Sequence, residues 1–279
     1  CWGDGGSGKL GDGSGIPHDT PVAVARGLQF QLVRAGANHS CGITTADVAY
    51  CWGRNGNGQL GDFSHINRPT PVKVSGGLHW RAISPGYDFT CGVTTGNKAY
   101  CWGSNTQGQL GANVHIGTST PNPVQGALSF RDLDAGFSHV CAVTTGDQAY
   151  CWGSNGSGQL GDGTKVSRLA PRAVTTSLLF KTVTVDDFHS CGLTLGGKGY
   201  CWGTNAQGEF GNGTTSSQPL KPTAIGGNLT LSQLSMGTTH ACGVVKTTGR
   251  GYCWGYNSVG QLGDGTTTRR LLPVPVAGS

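Results

Sequence analysis

Charge is scarce in this chain. Only 12% of its 279 residues are Asp, Glu, Lys or Arg, and Glu209 is the sole glutamate. Acid–base chemistry built on glutamate pairs is therefore excluded. The net charge is +5, yet the 19 Lys and Arg are dispersed, with only Arg269 and Arg270 adjacent. A basic stripe for nucleic acid is missing. No apolar run approaches the ~18 residues of a membrane-spanning helix, and no segment of useful length carries helical periodicity. The sequence starts at Cys1 rather than Met, so a signal peptide would lie outside it. What the chain has in excess is glycine, 50 residues, together with 12 Pro, 11 Cys and 7 Trp. Such glycine content indicates a fold dominated by turns. Collagen is excluded because glycine follows no three-residue register, and 36% apolar residues argue against disorder.

The cysteines reveal a repeat. Cys-Trp-Gly begins at Cys1, Cys51, Cys101, Cys151, Cys201 and Cys253, a spacing of 50 residues and finally 52. Each copy is followed by Gly-Gln-Leu-Gly or a variant with Lys9 or Glu209–Phe210, then a Pro-Val stretch. The alternation of Leu28, Phe30 and Leu32, the stretches 39–45 and 48–53, and Pro71–Val74 predict four short strands per repeat. The proline at the fourth strand suits an edge. Four strands every ~50 residues is the pattern of propeller blades. The expected fold class is all-β, a β-propeller of four-stranded blades. The chain reads as a single domain, 1–279, with a half-blade at 1–24 and repeats at about 27–76, 77–126, 127–176, 177–226 and 227–279. That count leaves five full blades and one half, so residues preceding Cys1 are expected to complete the ring.

Cys41 and Cys51 lie ten residues apart with Thr45-Ala46-Asp47 midway. A hairpin turning there sets the two cysteines directly opposite, within disulfide reach. The same construction pairs Cys91 with Cys101, Cys141 with Cys151, Cys191 with Cys201 and, with a loop one residue longer, Cys242 with Cys253. Cys1 is left over. Buried free thiols are the alternative; zinc lacks its close knuckle spacing. Disulfides would place the protein in an extracellular, cell-surface or periplasmic setting. The Trp after each second Cys faces the other side of its strand and is expected to fill the space between blades.

Several motifs dissolve on inspection. Gly56–Gly61 matches G-x-G-x-x-G, but no helix follows and the pattern returns every repeat. Gly3–Lys9 resembles a P-loop, but Leu10 occupies the Ser/Thr position. His39, His139, His189 and His240, with Phe89 substituting once, are expected to make local hydrogen bonds at strand starts rather than a metal ring. Asp12, Asp62, Asp162 and Asp264 read as turn residues, and no Asp-x-Asp-x-Asp pattern supports calcium. No cofactor, metal or catalytic constellation is expected.

Cys-Trp-Gly-Ser-Asn-Gly-Ser-Gly-Gln-Leu-Gly-Asp-Gly-Thr at 151–164 and Ala-Gly-x-x-His-x-Cys at 35–41 resemble regulator-of-chromosome-condensation repeats, over the whole chain. The resemblance implies a β-propeller, commonly of seven blades, in a family that includes GTPase exchange factors, a plant ultraviolet-B photoreceptor and a secreted bacterial β-lactamase inhibitor. The paired cysteines look like the secreted bacterial branch. The photoreceptor's Gly-Trp-Arg-His-Thr signature is absent: Gly36-Ala37-Asn38-His39 and Gly86-Tyr87-Asp88-Phe89 stand there.

Residues that differ between repeats at exposed turns can encode recognition. The turn before His-x-Cys carries Tyr87–Asp88, Phe137–Ser138 and Asp187–Phe188 in three copies, and the loop after Gly-Gln-Leu-Gly carries Phe63, His65 and Arg68. Tyr87, Phe137 and Phe188 are the expected anchors for a protein partner or a second copy of the chain; the alternative is that they pack against neighbouring turns. Family members that use aromatics at the matching turn support the first by analogy. The expected function is a non-enzymatic extracellular binding scaffold with no nucleic-acid partner and no membrane insertion. A glycan-binding module and a nucleotide-exchange factor for a small GTPase are the alternatives.

Overall fold

A computed structural model describes residues 1–215 and 218–278. Among them, twenty strands form five four-stranded antiparallel sheets, the blades of a β-propeller. The first consists of β1 (Phe30–Ala35), β2 (His39–Thr44), β3 (Ala49–Gly53) and β4 (Arg68–Lys73). The second is β5 (Trp80–Pro85), β6 (Phe89–Thr94), β7 (Ala99–Gly103) and β8 (Thr118–Pro123). Then come β9 (Phe130–Ala135), β10 (His139–Thr144), β11 (Ala149–Gly153) and β12 (Arg168–Ala173), followed by β13 (Phe180–Val185), β14 (His189–Thr194), β15 (Gly199–Gly203) and β16 (Thr223–Ala224). The last sheet is β17 (Leu231–Gly237), β18 (His240–Val245), β19 (Gly251–Gly255) and β20 (Arg270–Pro275). In every sheet the strands follow chain order. The first strand starts two residues later than its alternation suggests, at Phe30, and a bulge between Phe30 and Leu32 shifts its pairing with β2. The fourth starts earlier, at Arg68, and holds Pro69 and Pro71 on a sheet edge, where a missing N–H leaves no ladder bond unmade.

Two compact units divide the chain: Cys1–Val140 with Arg168–Pro171, and Cys141–Ser167 with Arg172–Ser279. The first unit contains the sheets β1–β4 and β5–β8; the second contains β13–β16 and β17–β20. Ahead of β1, Gly3 bridges His18, and Cys1 and Val22 exchange backbone bonds of 2.8 Å. This repeats the β3–β4 pairing of Cys51 with Val72 and Gly53 with Arg68.

The hairpin construction is realised residue by residue. Cys41 pairs with Cys51, Gly42 with Tyr50 and Ile43 with Ala49. Five disulfides result: 41–51, 91–101, 141–151, 191–201 and 242–253, with Cα atoms 4.0–4.1 Å apart. Cys1 is free.

Within each unit the tryptophans join one repeat to the next. Trp102 is fully buried, and its indole Nε1–H donates to the Gln59 carbonyl at 2.9 Å, 43 residues upstream. The Thr90 hydroxyl donates to the same oxygen at 2.7 Å. Trp52 and Ser40 converge likewise on Lys9 at 3.0 and 2.9 Å, and Trp202 and Ser190 on Gln159, both at 2.8 Å. Trp254 reaches the Glu209 carbonyl at 2.8 Å, but Ala241 stands where a hydroxyl would be the second donor. Gly61 must be glycine: φ is +70°, and a Cβ would lie 2.7 Å from Trp102 Nε1.

Three outcomes are expected. Non-reducing peptide mapping of protein isolated under thiol-blocking conditions should recover the five pairs; free thiols at most of those positions would contradict the fold's chemistry. Each short ring is worth about 2–3 kcal/mol in the chain-entropy view. In urea unfolding, Trp102→Ala should destabilise by ~3–5 kcal/mol as a buried aromatic truncation. Thr90→Val, which removes one of two donors and strands the groups it served, should lose about 1–3 kcal/mol.

Candidate partner-binding face

The turn before each second strand and the loop after each third strand lie at the same end of a blade, because antiparallel order brings the chain back. In the first sheet this is direct: Gly53 pairs with His39, and Arg54 N–H donates to the Asn38 carbonyl at 3.0 Å. All the aromatic and loop residues singled out from the sequence therefore belong to the same end of their blades.

In the first unit, Tyr87 and Phe137 are brought together. Their rings stack at 4.3 Å between centroids, tilted by 39°, and the Tyr87 N–H donates to the Gly136 carbonyl at 3.2 Å. Adjacent turns touch so closely that a Cβ on Gly86 would meet Gly136 O at 2.6 Å. The two rings pack on each other and still present 37% and 40% of their surface to solvent. Asp88, beside them, is committed to the scaffold. It accepts from Gln59 Nε2 at 3.2 Å and lies 3.7 Å from the Arg54 guanidinium.

Phe188 belongs to the second unit and occupies a different register. Its carbonyl accepts the Thr204 N–H as that of Asp88 accepts Ser104, so Phe188 stands in the place of Asp88, not of Tyr87. It is 50% exposed. Asp186 replaces the glycine of the other turns, and its carboxylate accepts the Asp187 N–H at 2.6 Å. Burial, then the adjacent Asp187 charge, pushes the Asp186 carboxyl up to about 6.

Arg68 and the other loop candidates differ in what they hold. Arg68 Nε donates to Asp62 at 2.9 Å, and Arg270 does the same to Asp264 at 2.7 Å. Burial raises the Asp62 carboxyl, but donors from Ser64, Arg68 and Asn55 outweigh it and hold the group below its usual range. Hydrogen bonds from Thr266 and Arg270 hold Asp264 at about 2. Arg68 thus closes its own loop. Phe63 and His65 are exposed, Phe63 over 79% of its surface, while His65 Nδ1 donates to the Gly56 carbonyl at 3.2 Å.

Sequence reading passed over the residue that organises these loops. Asn55 is fully buried; its Oδ1 accepts the Leu60 N–H at 2.9 Å while Nδ2 donates to Asp62, to the Ser64 carbonyl and to the Ile66 carbonyl at 2.9–3.1 Å. Asn155 and Asn257 repeat the arrangement. The signal was available as an Asn two residues beyond each Cys-Trp-Gly from Cys51 onward. A consequence is that Ile66, Ile116 and Val166, at one loop position, are all exposed.

His39, His139 and His189 are buried at their strand starts, and His240 is half-buried. His39 Nε2 donates to Thr90 Oγ1 at 2.7 Å in the next repeat, a correction to the expected local bond. The proton must sit on Nε2, since Thr90 donates onward to Gln59. Burial lowers His39 to about 3 and His189 to about 4. No group of three metal-capable side chains occurs among the described residues, and none of their helices could cross a membrane. Because the fold disfavours charged His189 while the unfolded chain takes up a proton near 6.5, stability from this group is complete above that pH and falls as pH drops. Comparing urea unfolding of wild type and His189→Leu should give a constant difference above pH 7. Between pH 6 and 4 the difference should move in favour of the variant, by up to about 1.4 kcal/mol per pH unit.

The RCC1-like domain model matches residues 1–278. No curated protein matches the chain in sequence. Among solved structures, human WBSCR16 is 19% identical with a TM-score of 0.85, over 99% of this chain and 75% of that one. Prp20p from Saccharomyces cerevisiae, described with its binding properties to Gsp1p and histones, is 23% identical with a TM-score of 0.84, over 100% of this chain and 72% of its own. The ectodomain of the Arabidopsis thaliana receptor kinase ACR4 is 18% identical with a TM-score of 0.55, over 95% of this chain and 70% of that chain. With its repeats, its sheets and this match along nearly its full length, the chain belongs to the RCC1-like domain family.

Proposed function

We propose that this chain is a non-catalytic binding scaffold for an oxidising, extracellular setting, and that it grips a protein partner through the turn face built around Tyr87 and Phe137. The stacked, half-exposed pair carries the reading. Two aromatic rings already ordered against each other lose little freedom on binding, and rigid aromatics dominate interface energetics. Family membership and the protein partners described for Prp20p agree with protein binding as the use of the fold. Five disulfides support the oxidising compartment and speak against a nucleotide-exchange role on a cytosolic GTPase. Phe188 lies in a different turn register, so Tyr87 and Phe137 are the primary anchors, and Asp88 ties the turn of Tyr87 to Gln59 and Arg54.

Wild type and the Tyr87→Ala/Phe137→Ala double variant, immobilised in parallel, should retain different sets of proteins from the secretome of the source organism. For a partner so identified, the double substitution should weaken affinity by roughly 2–4 kcal/mol. Thermal stability should shift little, since exposed turn residues change it by within about 0.5 kcal/mol each. Identical sets on both surfaces, or unfolding of the variant with affinity of the folded fraction intact, would make the pair a packing element only.

A further inference from the structure

One blade departs from its siblings in a concerted way. In the loop between β7 and β8, Ala112 stands where Asp62, Asp162 and Asp264 tie the other loops, and Val114 stands where Ser64, Thr164 and Thr266 donate to them. Gly117 occupies the place of Asn67 and Ser167. Those two side chains accept the backbone N–H of Asn55 and Asn155, at 2.8 and 3.2 Å. Gly117 has no side chain to do so for Asn105. A Cβ at Gly117 would lie 2.6 Å from Gly103 O, so only glycine lets the chain approach the end of β7 this closely.

Asn105 and Gly117 line a cleft of about 520 Å³ within the first unit, between the loop of Asn57 and His65 and the loop of Thr106 and His115. Its size falls in the range of small-ligand sites. Its walls are amides, hydroxyls, imidazoles and backbone, with no Asp, Glu, Lys or Arg among them. A phosphate, a carboxylate or a metal cation would find no counter-charge there. An apolar ligand would desolvate polar groups without partners. Hydroxyl groups, each both donor and acceptor, match this lining.

A second observation stands beside the cleft. Phe63 has φ +70°, a backbone region a bulky residue rarely adopts, while Gly13, Gly163, Gly213 and Gly265 hold the same loop position at φ 78–93°. Its N–H donates to the carbonyl of Ser119, which lines the cleft, at 3.1 Å, and its ring stays in solvent. A strained, exposed aromatic where four sibling loops have glycine is a cost to folding with no packing return. Such strain collects at ligand sites.

We infer that this cleft binds a neutral oligosaccharide: sugar hydroxyls pair with the Asn105 amide and the polar walls, and the C–H face of a ring lies on Phe63. The site is separate from the Tyr87–Phe137 pair, so failure of either reading leaves the other standing.

The full chain is tested on an array of neutral, sulfated and uronic-acid oligosaccharides, with wild type, Phe63→Gly and His115→Ala side by side. Binding to at least one neutral glycan is expected, weakened tenfold or more in both variants when titrated with the soluble glycan that gives the strongest signal. Phe63→Gly should melt at or above the wild-type temperature, since it relieves the left-handed backbone; the loss then cannot be attributed to unfolding. Absence of any neutral-glycan signal, signal confined to the acidic glycans, or equal binding by wild type and both variants would each overturn the inference.

Discussion

One buried carbonyl per repeat holds neighbouring repeats of a unit together. The oxygen of Gln59 accepts an indole N–H and a hydroxyl from the following repeat, and the same convergence recurs at Lys9 and Gln159. In a dry seam an unmet carbonyl is expensive, so each repeat is completed only when the next one docks. The tryptophan brings area as well as a donor, and it demands glycine beneath its edge, as at Gly61. Cys-Trp-Gly and Gly-Gln-Leu-Gly are thus two halves of one contact, written 43 residues apart.

The disulfides act within a blade and the tryptophans between blades, which separates two jobs. Each disulfide pins the central hairpin and makes its register unequivocal. Few charged residues are needed in such a structure, and some carboxylates close loops, as Asp62 does with Arg68. His39 and His189 at the strand starts are buried in their neutral form; His39 extends the hydrogen-bond relay through Thr90 to Gln59.

Repetition also makes departures readable. Because Asn55, Asn155 and Asn257 build nearly the same loop, the missing partners around Asn105 stand out as a local change rather than noise. Phe63 at a glycine position is a second such change. Both fall in the loops, where the scaffold tolerates variation because strands and seams already satisfy the backbone.

Fold class, the fifty-residue blade, the strand order and the cysteine pairing follow from the sequence alone, because they rest on local periodicity and on hairpin arithmetic that needs no distant partner. The aromatic turn positions and the loop candidates were legible for the same reason. What only the tertiary structure decided are the contacts between repeats. Nothing in the sequence says that Tyr87 stacks on Phe137 while Phe188 sits one register away, that Arg68 is spent on Asp62, or that His39 reaches Thr90 rather than its own turn. Nor does it reveal that Asn67 and Ser167 accept a backbone N–H in their own loops, which Gly117 has no side chain to do. Such facts depend on how far apart two segments lie after the chain has turned back on itself, and distance in space is not written in spacing along the chain.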